Sequence, residues 1–392
     1  MVSDENSIVD NYTIYIYIVA VCCAYFEIFY AWAKVQMQSV FGNLLKELYN
    51  RVVIMLLLFA VYFEFIPKED FIVYLSFAYI LRTLLMMFYA LHLYLPKFQL
   101  QLPTNYKEIL KYSFFIILAG SAGAILIDID KIMIGVKDTF DKAAYYTVAV
   151  FIGTFIDAPS RAMSQILQPM TSKSINEENV AEVQSLYQKS SINLLLIGGL
   201  FFVLINCNVT ELFKIMPEQY WGGEWVVLLI SGAKLFNMSL GNNGAIISNS
   251  KFYRITLFTG VGMALMVYFL NKYFYFNLDF GTEGLALSTF LTFIIFGCFK
   301  LWYVSKKLHI FPYTQKTVVI SFVILFSYVV FQFWNFDVGT ILVFKFPIHP
   351  IINIILKSCI LIPIYLLIVY RFNISEQINA IIDNLLTKKG LR

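Results

Sequence analysis

Long apolar runs alternate with short charged or turn-rich breaks along most of the chain. Reading between the breaks gives eleven predicted helices: Tyr12–Ala33, Leu48–Ile66, Phe71–Leu95, Tyr112–Val136, Ala143–Pro169, Ser190–Thr210, Glu224–Ser248, Arg254–Tyr275, Gly281–Val304, Lys316–Asn335 and Ile351–Tyr370. Most approach the ~20 apolar residues that carry an α-helix across a bilayer. The expected fold class is therefore an all-α polytopic membrane protein of about eleven transmembrane helices.

Composition agrees: 59% of the 392 residues are hydrophobic and 14% charged, with a mean hydropathy of +0.72. A soluble domain is roughly half apolar and about a quarter charged, so a water-soluble globule is excluded. Cys22, Cys23, Cys207, Cys298 and Cys359 lie in apolar runs without paired spacing; they read as packing residues, and neither a metal site nor a cofactor is expected. The opening MVSDENSIVDN is acidic and lacks a basic n-region and a cleavage signature, so no removable leader is expected.

The net charge of +4 says less than its placement. Eighteen of the 29 Lys and Arg residues, among them Lys34, Arg51, Lys107, Lys173, Lys251, Arg254, Lys300, Lys316 and Arg371, fall in one set of alternate connections. The other set holds six: Lys68, Lys137, Lys142, Lys214, Lys272 and Lys345. Basic residues accumulate in short cytoplasmic loops, which predicts an outside N-terminus and a cytoplasmic C-terminus in the cytoplasmic (inner) membrane.

The expected organisation is a three-helix segment over residues 1–95, a cytoplasmic linker over 96–111, six helices over 112–304, two more over 305–370, and a cytoplasmic amphipathic tail over 371–392. The linker carries two prolines without periodicity, followed by an N-cap signal at Asn105 and Glu108. Between Lys34 and Arg51, apolar Met37, Phe41, Leu44, Leu45 and Leu48 recur at helical spacing, as expected of a helix lying in the interface. The tail repeats this with Ile378, Ile381, Ile382, Leu385 and Leu386.

An ionisable side chain near the bilayer centre costs at least ~2.5 kcal/mol, so each needs a partner or a wet cavity. The fifth helix places Thr154, Asp157, Arg161, Ser164, Gln165 and Gln168 on one face. Asp157 and Arg161 are spaced to pair within the helix, and Pro159 is expected to bend it. In the fourth helix Gly120, Ala124, Asp128 and Lys131 share a face beside Asp130; in the seventh, Lys234, Asn237 and Gly241 do, and Asn242–Gly244 reads as locally unwound. Arg82 and Glu27 add charge in the third and first helices; Glu64 and Lys357 read as interfacial. Fixing helix register by ion pairing is the structural alternative for each charge. The stripe from Thr154 to Gln168 favours a hydrated cavity.

The cations Arg82, Lys131, Arg161 and Lys234 suit an anionic substrate such as a phosphate or diphosphate. With Asp157, Gln165 and Asn237 they form the candidate substrate-binding set. Asp128, Asp130 and Asp157 are candidate ion-coupling residues. His92, His309 and His349 have no nucleophile or ligand spacing beside them, and no phosphate-cradling glycine loop is present, so neither catalysis nor direct ATP use is expected.

The run YSFFIILAGSAGAILIDIDKIMIG from Tyr112, then AAYYTVAVFIGTFIDAPSRAMSQILQPM from Ala143, resembles the start of the second half of polysaccharide-export flippases. These are lipid-linked oligosaccharide (O-antigen-type) flippases of the multidrug/oligosaccharidyl-lipid/polysaccharide exporter superfamily. LYQKSSINLLLIGGLFFVLI, EQYWGGEWVVLLISGAKLFNMSLGNNGAIISNS and TEGLALSTFLTFIIFGCFKLWYV continue the likeness in order and character. It covers most of Tyr112–Val304 and, loosely, the first hundred residues.

The resemblance implies two six-helix halves around a cavity that opens alternately to either side, usually with two further helices. By that plan the N-terminal half here is incomplete, with three helices in place of six, as in a truncated product or a short variant that completes its cavity by pairing. The implied function is flipping of a polyprenyl-diphosphate-linked oligosaccharide repeat unit in cell-surface polysaccharide biosynthesis. The implied partners are membrane lipids, that glycan substrate, and polysaccharide polymerase and chain-length machinery, with no nucleic acid. The alternatives are a cation-coupled multidrug exporter of the same superfamily and a membrane enzyme such as a polymerase or acyltransferase.

Overall fold

A computed structural model describes residues 8–36, 38, 40–95, 105–333, 342–343, 346–347, 349–380 and 383. Two compact units divide at Ile109 and Leu110, inside the segment read as a linker.

The first unit holds α1 (Ile8–Val35), α2 (Val40–Asn43), α3 (Asn50–Tyr62) and α4 (Phe71–Leu93), with a π-helical stretch at Leu44–Tyr49 joining α2 to α3. Helix α1 packs chiefly on α4. Their core is Phe26, Tyr30, Ala33 and Met86, joined by Leu45. Phe41, Leu45 and Tyr49 of the amphipathic segment pack into this core instead of lying apart from it. Gly42 makes that possible: a Cβ there would sit 2.2 Å from the Tyr30 ring. Lys46 fixes the contact by an ion pair to Glu27 at 2.6 Å. Ile14, Tyr17, Val21, Tyr25 and Ile28 form an exposed apolar stripe along α1, the spacing of a lipid-facing helix surface.

The second unit runs through α5 (Tyr106–Lys137), α6 (Phe140–Thr154), α7 (Ala158–Asn176), α8 (Val180–Ile215), α9 (Glu224–Ser239), α10 (Asn243–Asn249), α11 (Ile255–Asn271), α12 (Gly281–Leu308), α13 (Gln315–Gln332) and α14 (His349–Arg371). A two-residue antiparallel ladder, β1 (Leu342–Val343) on β2 (Phe346–Pro347), lies between the last two helices. Helix α8 is the central column, packed by α7, α9, α13 and α14. Near its end, Val209 and Phe213 join α5, α6, α9 and α12 in one apolar cluster. Along its middle, Leu195, Leu196 and Val203 pack with α13 and α14 in another.

The protein is an all-α polytopic membrane protein. Seven helical segments among the described residues have the length and apolarity to cross a bilayer: Tyr12–Ala33, Lys68–Leu93, Val180–Ile215, Ile255–Asn277, Gly281–Leu308, Gln315–Gln332 and His349–Arg371. The other four expected spans are not among these seven. Helix α3 has 13 residues and continues without a break from the π-helical stretch Leu44–Tyr49. The fifth and seventh spans are each interrupted, by a 3-10 turn at Phe155–Asp157 and by the turn at Leu240–Asn242. Helix α5 is 32 residues long, but many of its side chains, including Gly120 and Ala124, lie outside the described residues, as do residues 96–104 and tail residues Ile381, Ile382, Leu385 and Leu386.

Lys357, expected at an interface, is packed against α8. It is 2% exposed, and its Nζ donates to the Cys207 carbonyl at 2.8 Å. A backbone acceptor on α8, which leaves no mark in the sequence, draws it into the bundle.

Candidate functional site

Two interruptions of helical backbone build the site. At the first, α6 ends at Thr154, the chain tightens into a 3-10 turn at Phe155–Asp157, and α7 restarts with Pro159 in its first turn. Proline lacks the N–H that would continue the ladder, and tolerates a first-turn position for the same reason. At the second, Gly241 between α9 and α10 adopts φ +59°, and a Cβ there would lie 2.6 Å from Ser190 Oγ. Only glycine meets both conditions.

The break is stitched to its neighbours. The Asn242 backbone N–H donates to Ser190 Oγ at 3.1 Å, Asn242 Nδ2 donates to Thr171 Oγ1 at 2.6 Å, and Asn243 Nδ2 donates to the Tyr187 hydroxyl. Irregular backbone at membrane depth is tolerated where such partners or a water-filled cavity satisfy it.

Beside the two breaks lies a cavity of about 340 Å³. Helix α7 contributes Ser160, Ser164 and Gln168, α9 contributes Asn237, the second break contributes Gly241–Asn242, α10 contributes Gly244 and Ser248, and α12 contributes Lys300. A Cβ on Gly244 would meet nothing within 4 Å.

One helical turn from Asn237, Lys234 Nζ lies 3.0 Å from Asp157 Oδ2, with the two side chains 22% and 23% exposed. The ammonium also sits over the Phe293 ring, 5.1 Å from its centroid. The expected pairing of Asp157 with Arg161 is replaced by this one. Asp157 belongs to the 3-10 turn, so the helical register that would carry it to Arg161 starts only after it.

A separate polar centre surrounds Asp130, which is 5% exposed. Its carboxylate accepts from Tyr146 Oη at 2.6 Å on α6, from Asn271 Nδ2 at 2.7 Å on α11, and from Thr289 Oγ1 at 3.4 Å on α12. All three donors are neutral. Adjacent Lys131 instead pairs with Asp128 at 2.7 Å on a more exposed part of α5.

Helix α12 links these features. Thr289, Phe293 and Lys300 are spaced by four and then seven residues, which puts them on one face. The face touches the Asp130 centre, then the Asp157–Lys234 pair, then the cavity. At ~1.5 Å per residue this is a polar track of roughly 16 Å along the helix axis.

Of the expected substrate-binding residues, Asp157 and Lys234 meet directly, and Asn237 lines the cavity. Arg161 is exposed on α7 and has no ion-pair partner among the described residues. The Gln165 side chain lies outside the described residues. Arg82 is in the first unit, where it is 4% exposed and its guanidinium lies 4.1 Å from the Phe26 ring centroid and 4.8 Å from that of Tyr79. Asp128 and Asp130 occupy the two centres already described.

The chain matches no protein-family model and no curated protein sequence. The residues that sequence reading missed are Tyr146, Asn271 and Thr289 around Asp130, and Lys300 in the cavity. The spacing of Thr289, Phe293 and Lys300 was a usable signal for the last; nothing local marks the donors to Asp130.

Proposed function

We propose that this membrane protein is a transporter that flips a polyprenyl-diphosphate-linked oligosaccharide repeat unit across the cytoplasmic (inner) membrane by alternating access. The observation that carries the reading is the polar cavity beside the Gly241 break, lined from α7, α9, α10 and α12. A polar headgroup meets a large penalty in hydrocarbon, since each unpaired polar group costs several kcal/mol. A cavity lined by hydroxyl, amide and ammonium groups removes that penalty while the prenyl tail stays in lipid. Discontinuous helices of this kind form the binding sites of many secondary transporters.

In this reading the Lys and Arg asymmetry places the N-terminus outside and the C-terminus in the cytoplasm. Asp130, held by neutral donors from three helices, is the coupling residue, because gain or loss of a proton or small cation there alters contacts to α6, α11 and α12 together. The Asp157–Lys234 pair ties the first break to α9 and is a contact that can open when the cavity changes sides. Polysaccharide polymerase and chain-length machinery act on the delivered glycan. The likeness of Tyr112–Val304 to polysaccharide-export flippases supports the same reading.

The test is leaflet-resolved measurement of lipid-linked glycan in membranes with and without the protein. Accumulation of complete repeat units in the inner leaflet when the protein is lost supports flipping. Incomplete or unmodified units would contradict it and indicate an enzyme.

A further inference from the structure

The interior lysines of the second unit differ in how their charge is met. Lys234 has the Asp157 carboxylate at 3.0 Å, and Lys357 has the Cys207 carbonyl oxygen at 2.8 Å. Lys300 has no hydrogen-bond or ion-pair partner among the described residues, and its side chain lines the cavity together with Ser160, Ser164, Gln168, Asn237 and Ser248. Among the described residues, no carboxylate lines that cavity. An ammonium drawn into a bundle loses hydration, and that loss is recovered only when an anion or several oxygens approach it. Here the described residues of the cavity wall supply no counter-charge.

We propose that Lys300 and this cavity form an anion site for a phosphoryl group, with a diphosphate the best-matched occupant. Lysine acts on phosphate as a point charge. The surrounding serine hydroxyls and the Gln168 and Asn237 amides supply donors for the remaining phosphate oxygens. Size narrows the occupant further. A cavity of about 340 Å³ is at the low end of small-molecule sites, roughly 300–1,000 Å³. A phosphoryl group fits within it. That the diphosphate belongs to a prenyl lipid rests on the transport reading; the anion site itself does not.

The test uses the purified full-length chain in detergent, with inorganic pyrophosphate and farnesyl diphosphate as probes in separate calorimetric titrations. Lys300→Gln should weaken both by at least about tenfold, the loss of one charge-assisted hydrogen bond, and Lys300→Arg should retain most of the affinity. Gly244→Leu keeps the lysine but fills the cavity, and should also abolish binding. Monodisperse elution establishes that each variant is folded.

Failure of the unaltered protein to bind either probe, or unchanged binding in Lys300→Gln or Gly244→Leu, overturns the proposal. Tighter binding of farnesyl diphosphate than of pyrophosphate supports a lipid-linked headgroup. Equal, Lys300-dependent binding of the two supports the anion site while removing the lipid-linked substrate, so the two ideas fail separately.

Discussion

Lys234 on α9 and Asp157 in the turn between α6 and α7 form an ion pair at 3.0 Å across a helix break, with each side chain little more than one-fifth exposed. The pair is neither a helix-internal bridge nor a surface contact. It fastens an interrupted helix to its neighbour beside a polar cavity. Removing one partner strands the other, partly solvated charge, so Asp157→Ala or Lys234→Ala should cost about 1–3 kcal/mol, between the ranges of an exposed and a fully buried pair. The double variant should cost less than the two single losses combined, and the swap Asp157→Lys with Lys234→Asp should recover part of the loss. Thermal unfolding in detergent, read by size-exclusion elution, measures all four.

The second break depends on one backbone conformation. Gly241→Ala combines a left-handed residue, about 1–2 kcal/mol, with a Cβ placed 2.6 Å from Ser190 Oγ and 2.8 Å from Ser191 N. Gly222 also has positive φ, +89°, yet a Cβ there meets nothing within 4 Å. Gly222→Ala should therefore show the backbone cost alone, and Gly241→Ala a clearly larger fall in unfolding temperature.

Asp130→Asn keeps the shape of the buried group and an acceptor for Tyr146, and should yield folded protein. Asp130→Ala leaves Tyr146 and Asn271 without their acceptor and should lower folded yield. If Asp130 couples transport, Asp130→Asn abolishes the dependence of glycan flipping on the proton or sodium gradient. Gradient-dependent flipping that persists in this variant would remove Asp130 from the coupling role.

Acid should loosen the α5–α6 connection. Burial pushes the Asp138 carboxyl up, but the Tyr275 hydroxyl and the Lys142 and Lys137 ammonium groups more than reverse this and hold it below the usual carboxylate value. Asp279, bonded to Lys137 at 2.6 Å, is held low by that lysine. A carboxyl lowered in the folded state contributes stability that is complete above its unfolded value, ~3.9, and lost as pH falls through its folded value. Unfolding temperature should thus drop as pH goes below about 4. In Asp138→Asn that fall should be shallower, with the deficit present at neutral pH and vanishing in acid.

The apolar runs made the all-α membrane fold legible, because bilayer thickness imposes one length on every crossing. They did not show which runs are continuous. Pro159 marked the first break, and the Asn242–Gly244 cluster marked the second only at its edge, since the turn is Leu240–Asn242 and Asn243 and Gly244 are already helical in α10. Hydropathy averages across such points and merges two helices that meet at a turn into one span. Within the stripe on the fifth helix, Ser164 and Gln168 do reach the cavity. Asp157 found Lys234 because its partner was decided by packing between helices distant in sequence. The same holds for Asp130, whose donors Tyr146, Asn271 and Thr289 come from three other helices, and for Lys357, held by a backbone carbonyl. Lys300 was grouped with the charged connections because it lies near the end of its run; its position relative to Thr289 and Phe293 assigns it to the helix face that lines the cavity.

The central claim is that water reaches the polar face between α7, α9 and α12. Its most direct measurement is labelling of single cysteines, placed at Ser164 or Asn237 in a cysteine-free background, by a membrane-impermeant maleimide in intact vesicles. Labelling at both positions from at least one side, with none at a control cysteine replacing exposed, apolar Phe322 on α13, is the expected result. Unreactive cysteines at 164 and 237 in folded protein would mean a dry interior and contradict transport through this cavity.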